Sequence, residues 1–168
     1  MFVGESGGLR SLSIITTPSI SMRKSIPKEM QLAVWNRDNW HCQYCGDAIF
    51  FSPSLKLLES MSPGHGYYDQ HGKRGLMLKL LEDRCACCDH VDPVTKDGQS
   101  SLDNLIAACF SCNRKKSSGS MEKRVIDSHE IAARPKGWDG LASIYTKLSG
   151  SELSGSDPSW VRLINAKQ

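Results

Sequence analysis

With 168 residues and 39% hydrophobic content, the chain has room for one domain, or for a small catalytic core with tails, and its core is lean for that length. A formal net charge of +3 is too small to argue for nucleic acid by itself. No run of about 18 apolar residues occurs, which excludes an ordinary membrane-spanning helix and makes a soluble protein without a membrane partner the expectation.

Met1 to Met22 is rich in Ser, Thr and Gly, with Glu5 and Arg10 its only charges. It has no basic start followed by an apolar stretch, so an export signal is not expected; a disordered tail over 1–22 is the first reading and an organellar transit peptide the second. Order is expected from Ser25 and Pro27, which can open a helix, with Ile26, Met30, Ala33 and Val34 spaced to form one apolar face down to about Arg37. Asp38 to Gly46 (DNWHCQYCG) is then a turn carrying Cys42-x-x-Cys45, the spacing with which two thiolates close around one zinc ion.

Phe50 to Asp83 holds helical fragments around Leu55 to Leu58 and Leu76 to Leu81, separated by a loop from Ser62 to Gly75, and reads as an insertion around 50–83. Arg84 to Val91 (RCACCDHV) suits a buried strand, Pro93 to Ser101 with Asp97-Gly98 is turn chemistry, and Leu105 to Ala108 is the returning strand. Cys109-x-x-Cys112 leads into a helix beginning at Asn113, so the order is strand, strand, helix beside a metal knuckle. Directly after it, Arg114, Lys115, Lys116, Lys123 and Arg124 stand against Glu122 alone. Such a run is commonly a solvated helix face, but beside a knuckle it is also where phosphates would be held.

Beyond residue 118 the pattern predicts a helical C-terminal extension over 119–168. Trp138, Leu141, Ile144, Tyr145 and Leu148 follow helical spacing, with Gly150 ending that helix, and Trp160, Leu163 and Ile164 add a short packed segment. Core packing is the first reading of these aromatics, a platform for bases the second. The tail is also a candidate for homodimer formation.

The strings CQYCG and DHVDPVTKDGQSSLDNLIAACFSCNRKK resemble the HNH endonucleases, through the Asp-His pair, the Gly-containing loop, Asp-Asn-Leu and Cys-x-x-Cys-Asn in the family's order. The resemblance covers about half the chain, Ser25 to Ser118, and implies an α+β fold: a ββα-metal (His-Me finger) core within 23–118, stapled by a four-cysteine zinc site and flanked by helices. It implies a metal-dependent endonuclease acting on DNA, cytoplasmic and prokaryotic or phage-encoded. His90 is then the general base that takes a proton from water, a role that suits an imidazole, which titrates near neutrality. Asp89 and Asn113 become the oxygen ligands of a catalytic Mg²⁺ or Mn²⁺. Asn104 pins the hairpin loop that orients the base, and Arg114, Lys115 and Lys116 contact nucleic acid. Two departures stand out. Asn113 replaces the family's second His, giving an H-N-N form, and the stretch between Cys45 and Asp89 is longer than the family usually needs.

Seven cysteines, an odd number in closely spaced groups, fit metal knuckles in a reducing compartment better than a disulfide framework. Cys42, Cys45, Cys109 and Cys112 are the expected structural zinc ligands, because both pairs sit at turns beside the elements to be joined. Cys85 and Cys88 would point to opposite faces of a strand, so burial as small apolar residues is the reading for them and for Cys87. His41, beside a zinc ligand, is read as packed or solvated rather than as a substitute ligand, and His65, His71 and His129 have no constellation around them. The alternative to an enzyme is a non-catalytic zinc ribbon that binds nucleic acid, and a pure binding module would have no use for Asp89, His90 and Asn113 together.

Overall fold

The computed structural model describes residues 25–70, 75–93, 99–119, 137–149 and 156–166. The expected tail over 1–22, the Asp97-Gly98 turn, His71, His129, Lys123, Arg124 and Gly150 lie outside them.

Helix α1, Lys28–Arg37, follows Pro27, whose fixed φ is already suited to a helix start. It buries Leu32, Val34 and Trp35, with Ile26 and Met30 packed at the edge of the same core. The buried face is therefore centred on Leu32 and Trp35, one step round from the face expected through Ala33. The chain then reverses through two left-handed residues, Asn39 (φ 51°) and Trp40 (φ 54°). A bulky residue adopts that conformation only where the surroundings compensate. Here Trp40 is buried, its backbone N–H donates to Trp35 O (2.8 Å) and its Nε1 donates to Asn36 Oδ1 (2.8 Å). The reversal brings Cys42 beside the Leu105–Cys109 strand, where the Gln43 backbone N–H donates to Ala107 O (2.8 Å).

The sheet is one antiparallel hairpin. Strand β1, Ala86–His90, pairs with β2, Leu105–Cys109, in a register running from Ala86 opposite Cys109 to His90 opposite Leu105. Every residue of β2 is buried, while those of β1 are half-buried. A 3₁₀ turn, Leu102–Asn104, leads into β2. Helix α1 locks onto the hairpin through Trp35 Nε1, which donates to Cys87 O (3.2 Å), and through buried Asp38, whose Oδ2 accepts from Ala107 N (2.7 Å). Arg37 completes the clamp by pairing with Asp38 and donating to Leu102 O and Leu105 O.

Helix α4, Phe110–Ser117, begins three residues before the expected start at Asn113, because the Cys109 sulfur accepts the Cys112 N–H and caps it. Between α1 and the hairpin lie α2, Ser52–Met61, and the short α3, Lys79–Asp83. The stretch read as an insertion is at its start part of the core: Phe51 is fully buried, and Leu55 and Leu57 are nearly so.

The C-terminal segment is equally integral. Helix α5, Ala142–Ser149, and helix α6, Pro158–Asn165, bring Tyr145, Trp160 and Ile164 into the same core as Trp35 and Trp40. Phe51 is the hub, with edge-on ring contacts to Trp40 (6.0 Å), Tyr145 (5.4 Å) and Trp160 (5.0 Å). The predicted Trp138-to-Leu148 helix starts only at Ala142, since Asp139 caps the N–H groups of Leu141 and Ser143 and Leu141 turns left-handed (φ 73°). Trp138 precedes the helix, packs edge-on against Phe50 and donates Nε1 to Ile49 O (3.0 Å). Ile144, expected on the packed face, is exposed. Gly140 (φ 67°) passes under Trp40 with its carbonyl accepting Phe51 N (2.8 Å); a Cβ there would overlap the Trp40 ring.

Among the described residues no helix is long and apolar enough to cross a membrane. The architecture is α+β: a two-stranded hairpin with α4 beside it, enclosed by α1, α2 and the C-terminal pair.

Candidate metal centre and catalytic face

Two knuckles meet where the reversal after α1 touches the end of β2. The Sγ atoms of Cys42, Cys45, Cys109 and Cys112 all lie within 4.8 Å of one another, and Cys45 and Cys109 stand 3.9 Å apart. Zinc–thiolate bonds of about 2.3 Å in a tetrahedron place sulfurs about 3.8 Å apart, so the set fits one zinc ion. Backbone N–H groups already face the sulfurs: Tyr44 N donates to Cys42 Sγ and Cys112 N to Cys109 Sγ, each at 3.4 Å. Burial, and after it the charge of Cys42, pushes the Cys112 thiol well above the ordinary range. Four thiols this close cannot all ionise alone, and a dication at their centre removes that penalty. A zinc ion held by all four cysteines would have no open position for chemistry.

Cys85, Cys87 and Cys88 lie outside this set. Their thiols donate to the carbonyls of Leu81, Cys85 and Gln31, and burial pushes Cys87 and Cys88 up to about 12. Such thiols behave as small apolar residues. His41 is buried with Nδ1 2.5 Å from Asn39 O, and His65 is exposed and stacked on Tyr67.

The second cluster lies in the cleft between β1 and α4. Cys87 and Asp89, two apart on a strand, share a face; Asn113 and Lys116, three apart on a helix, share another. The two faces meet. Lys116 Nζ donates to Asp89 Oδ2 at 2.7 Å and also to His90 O. Asp89 and Lys116 are 14% and 13% exposed, so this is a largely covered ion pair. Tyr44, reaching over from the first knuckle, donates Oη to the same Asp89 oxygen at 2.5 Å. Burial, then Asp89, pushes the Tyr44 phenol far above its usual value, which keeps it a protonated donor.

His90 ends β1 with Nε2 2.9 Å from Ser100 Oγ. Asn104 spends its side chain on the loop between the strands: Oδ1 accepts Asp92 N (2.8 Å), and Nδ2 donates to Asp92 O (3.1 Å) and Gln99 O (2.9 Å). Its backbone carbonyl accepts Val91 N (2.9 Å), so one residue closes the loop that follows His90.

The basic residues divide. Arg114 and Lys115 are exposed on α4, with Arg114 over the Phe110 ring, whereas Lys116, grouped with them in the sequence reading, is turned into the cleft against Asp89. The reading missed Tyr44 and the inward role of Lys116. The i, i+3 spacing of Asn113 and Lys116 was the available signal for Lys116; for Tyr44 there was none, because its partner is distant in sequence.

The model of a family described as HNH endonuclease matches residues 78–119. That match takes in β1, the loop, β2 and α4, and with them Asp89, His90, Asn104, Cys109, Cys112 and Asn113. Searches of curated proteins and of solved structures found no match. Residues 78–119 are thus similar to the HNH endonuclease family over a segment that carries the strand–strand–helix order and two of the four clustered cysteines, Cys109 and Cys112.

Proposed function

We propose that this chain is a metal-dependent endonuclease that hydrolyses DNA phosphodiester bonds. The observation that supports the reading is the family match over residues 78–119, in which Asp89 and His90 end β1 and Asn113 lies on the adjoining α4. Asp89 and Asn113 would hold the divalent ion, and an all-oxygen pair suits hard Mg²⁺ or Mn²⁺. When bound, such an ion stabilises charge on the phosphoryl oxygens and the leaving 3′ oxygen.

His90 acts as the general base, taking a proton from the water whose oxygen attacks phosphorus as the bond to the 3′ oxygen breaks. Asn104 keeps that base in place by closing the loop behind it. Ser100, bonded to Nε2, holds the ring until water replaces it. Arg114 and Lys115 contact backbone phosphates, and the four-cysteine site holds zinc that maintains the fold without taking part in the reaction.

The test is supercoiled plasmid incubated with the purified protein and Mg²⁺ or Mn²⁺, followed by mapping of the ends. Cleavage that needs the divalent ion and leaves 3′-hydroxyl and 5′-phosphate ends is expected. Plasmid left intact under every divalent ion, with DNA still bound, would favour a non-catalytic zinc ribbon.

A further inference from the structure

Tyr44 belongs to both clusters at once. It sits inside the first Cys-x-x-Cys turn, where its backbone N–H donates to Cys42 Sγ, and its phenol donates to Asp89 Oδ2 across the cleft. Lys116 reaches the same Asp89 oxygen while lying over the Tyr44 ring at 5.8 Å. Among the described residues Asp89 Oδ1 accepts no hydrogen bond. The carboxylate is thus gripped at one oxygen by two donors, one of which is anchored in the turn that the zinc site closes. Partners of this kind fix the orientation of a metal ligand, and their loss typically costs about 10–100-fold in metal affinity or activity.

We propose that Tyr44 is a positioning residue that couples the structural zinc site to the catalytic metal site, by holding Asp89 Oδ2 and so presenting Oδ1 to the divalent ion. The inference rests on the reading of Asp89 as a ligand of that ion. Closing the Cys42–Cys45 turn around zinc then sets the direction of the Asp89 carboxylate, and the two sites share one rigid element.

Tyr44→Phe tests this, because it keeps the backbone N–H and the ring and removes only the donor. The variant should retain zinc and melt close to wild type. Mn²⁺ titration without DNA, followed by electron paramagnetic resonance, should show affinity lowered by roughly 10-fold or more. The Mn²⁺ concentration for half-maximal plasmid cleavage should rise by a similar factor, with a near wild-type plateau at saturation. Unchanged Mn²⁺ affinity in Tyr44→Phe, alongside lost affinity in Asp89→Asn, overturns the coupling and leaves the Asp89 reading standing. Unchanged affinity in Asp89→Asn overturns both. Loss of zinc from Tyr44→Phe, or a lower plateau with unaltered metal dependence, also overturns the coupling.

Discussion

His90 and Asp89 are neighbours on β1, yet a base and a metal ligand respond differently to removal. His90→Ala should fold, keep zinc and bind DNA, with cleavage lowered by about 10²-fold or more, as loss of a general base implies. Asp89→Ala should also lose cleavage, but part of it should return as Mg²⁺ or Mn²⁺ is raised, because the missing group acts on metal binding. Its ion pair with Lys116 goes as well, leaving a covered ammonium near the cleft. The measurement is a plasmid assay of both variants over a metal titration. Wild-type rates in His90→Ala, or an Asp89→Ala defect insensitive to metal, would end these assignments.

Elements, rather than single residues, decide how the knuckles meet. Cys109→Ser removes one of the four candidate zinc ligands while its hydroxyl can still cap α4, and structural zinc can supply on the order of 10 kcal/mol of folding free energy. The variant should lose zinc and its cooperative melt, whereas Cys85→Ser should keep both; the reverse pattern in metal analysis would move the zinc site. On the outer side of α4, replacing Arg114 and Lys115 with Ala should weaken DNA binding across sequences and flatten its salt dependence without altering the melt. An unchanged salt slope would make them a solvated face. Elements with strong local signals were legible in advance: Pro27 before α1, the short apolar runs of β1 and β2 on either side of turn chemistry, and the paired Cys-x-x-Cys steps. The start of α5 was not, because Asp139, Gly140 and Leu141 override helical spacing with a cap and left-handed backbone. Tyr44 and Lys116 were not either, since what they do depends on Asp89 across the cleft.

At the scale of the molecule, the matched segment is smaller than the unit that folds. Its hairpin leans on α1, and α1 leans on a ring cluster completed by Tyr145 and Trp160. Gly140 is the tightest point of that closure. Gly140→Ala must accept both a left-handed backbone and the Trp40 ring, a cost of about 2 kcal/mol or more. A fall of roughly 4–8 °C in Tm is expected, read by a thermal melt with zinc content measured alongside. An unaltered melt would show that Trp40 yields easily.

Phe51 as hub of the ring cluster also bears on the order in which the chain acquires structure. The four clustered cysteines are complete once Cys112 has been synthesised, but the faces of Phe51 that meet Tyr145 and Trp160 stay open until those residues follow. A zinc ion bound there during synthesis would close the knuckles around a half-built core. It would serve as a temporary scaffold, holding β2 and the turn after α1 together until the last two helices arrive to seal them.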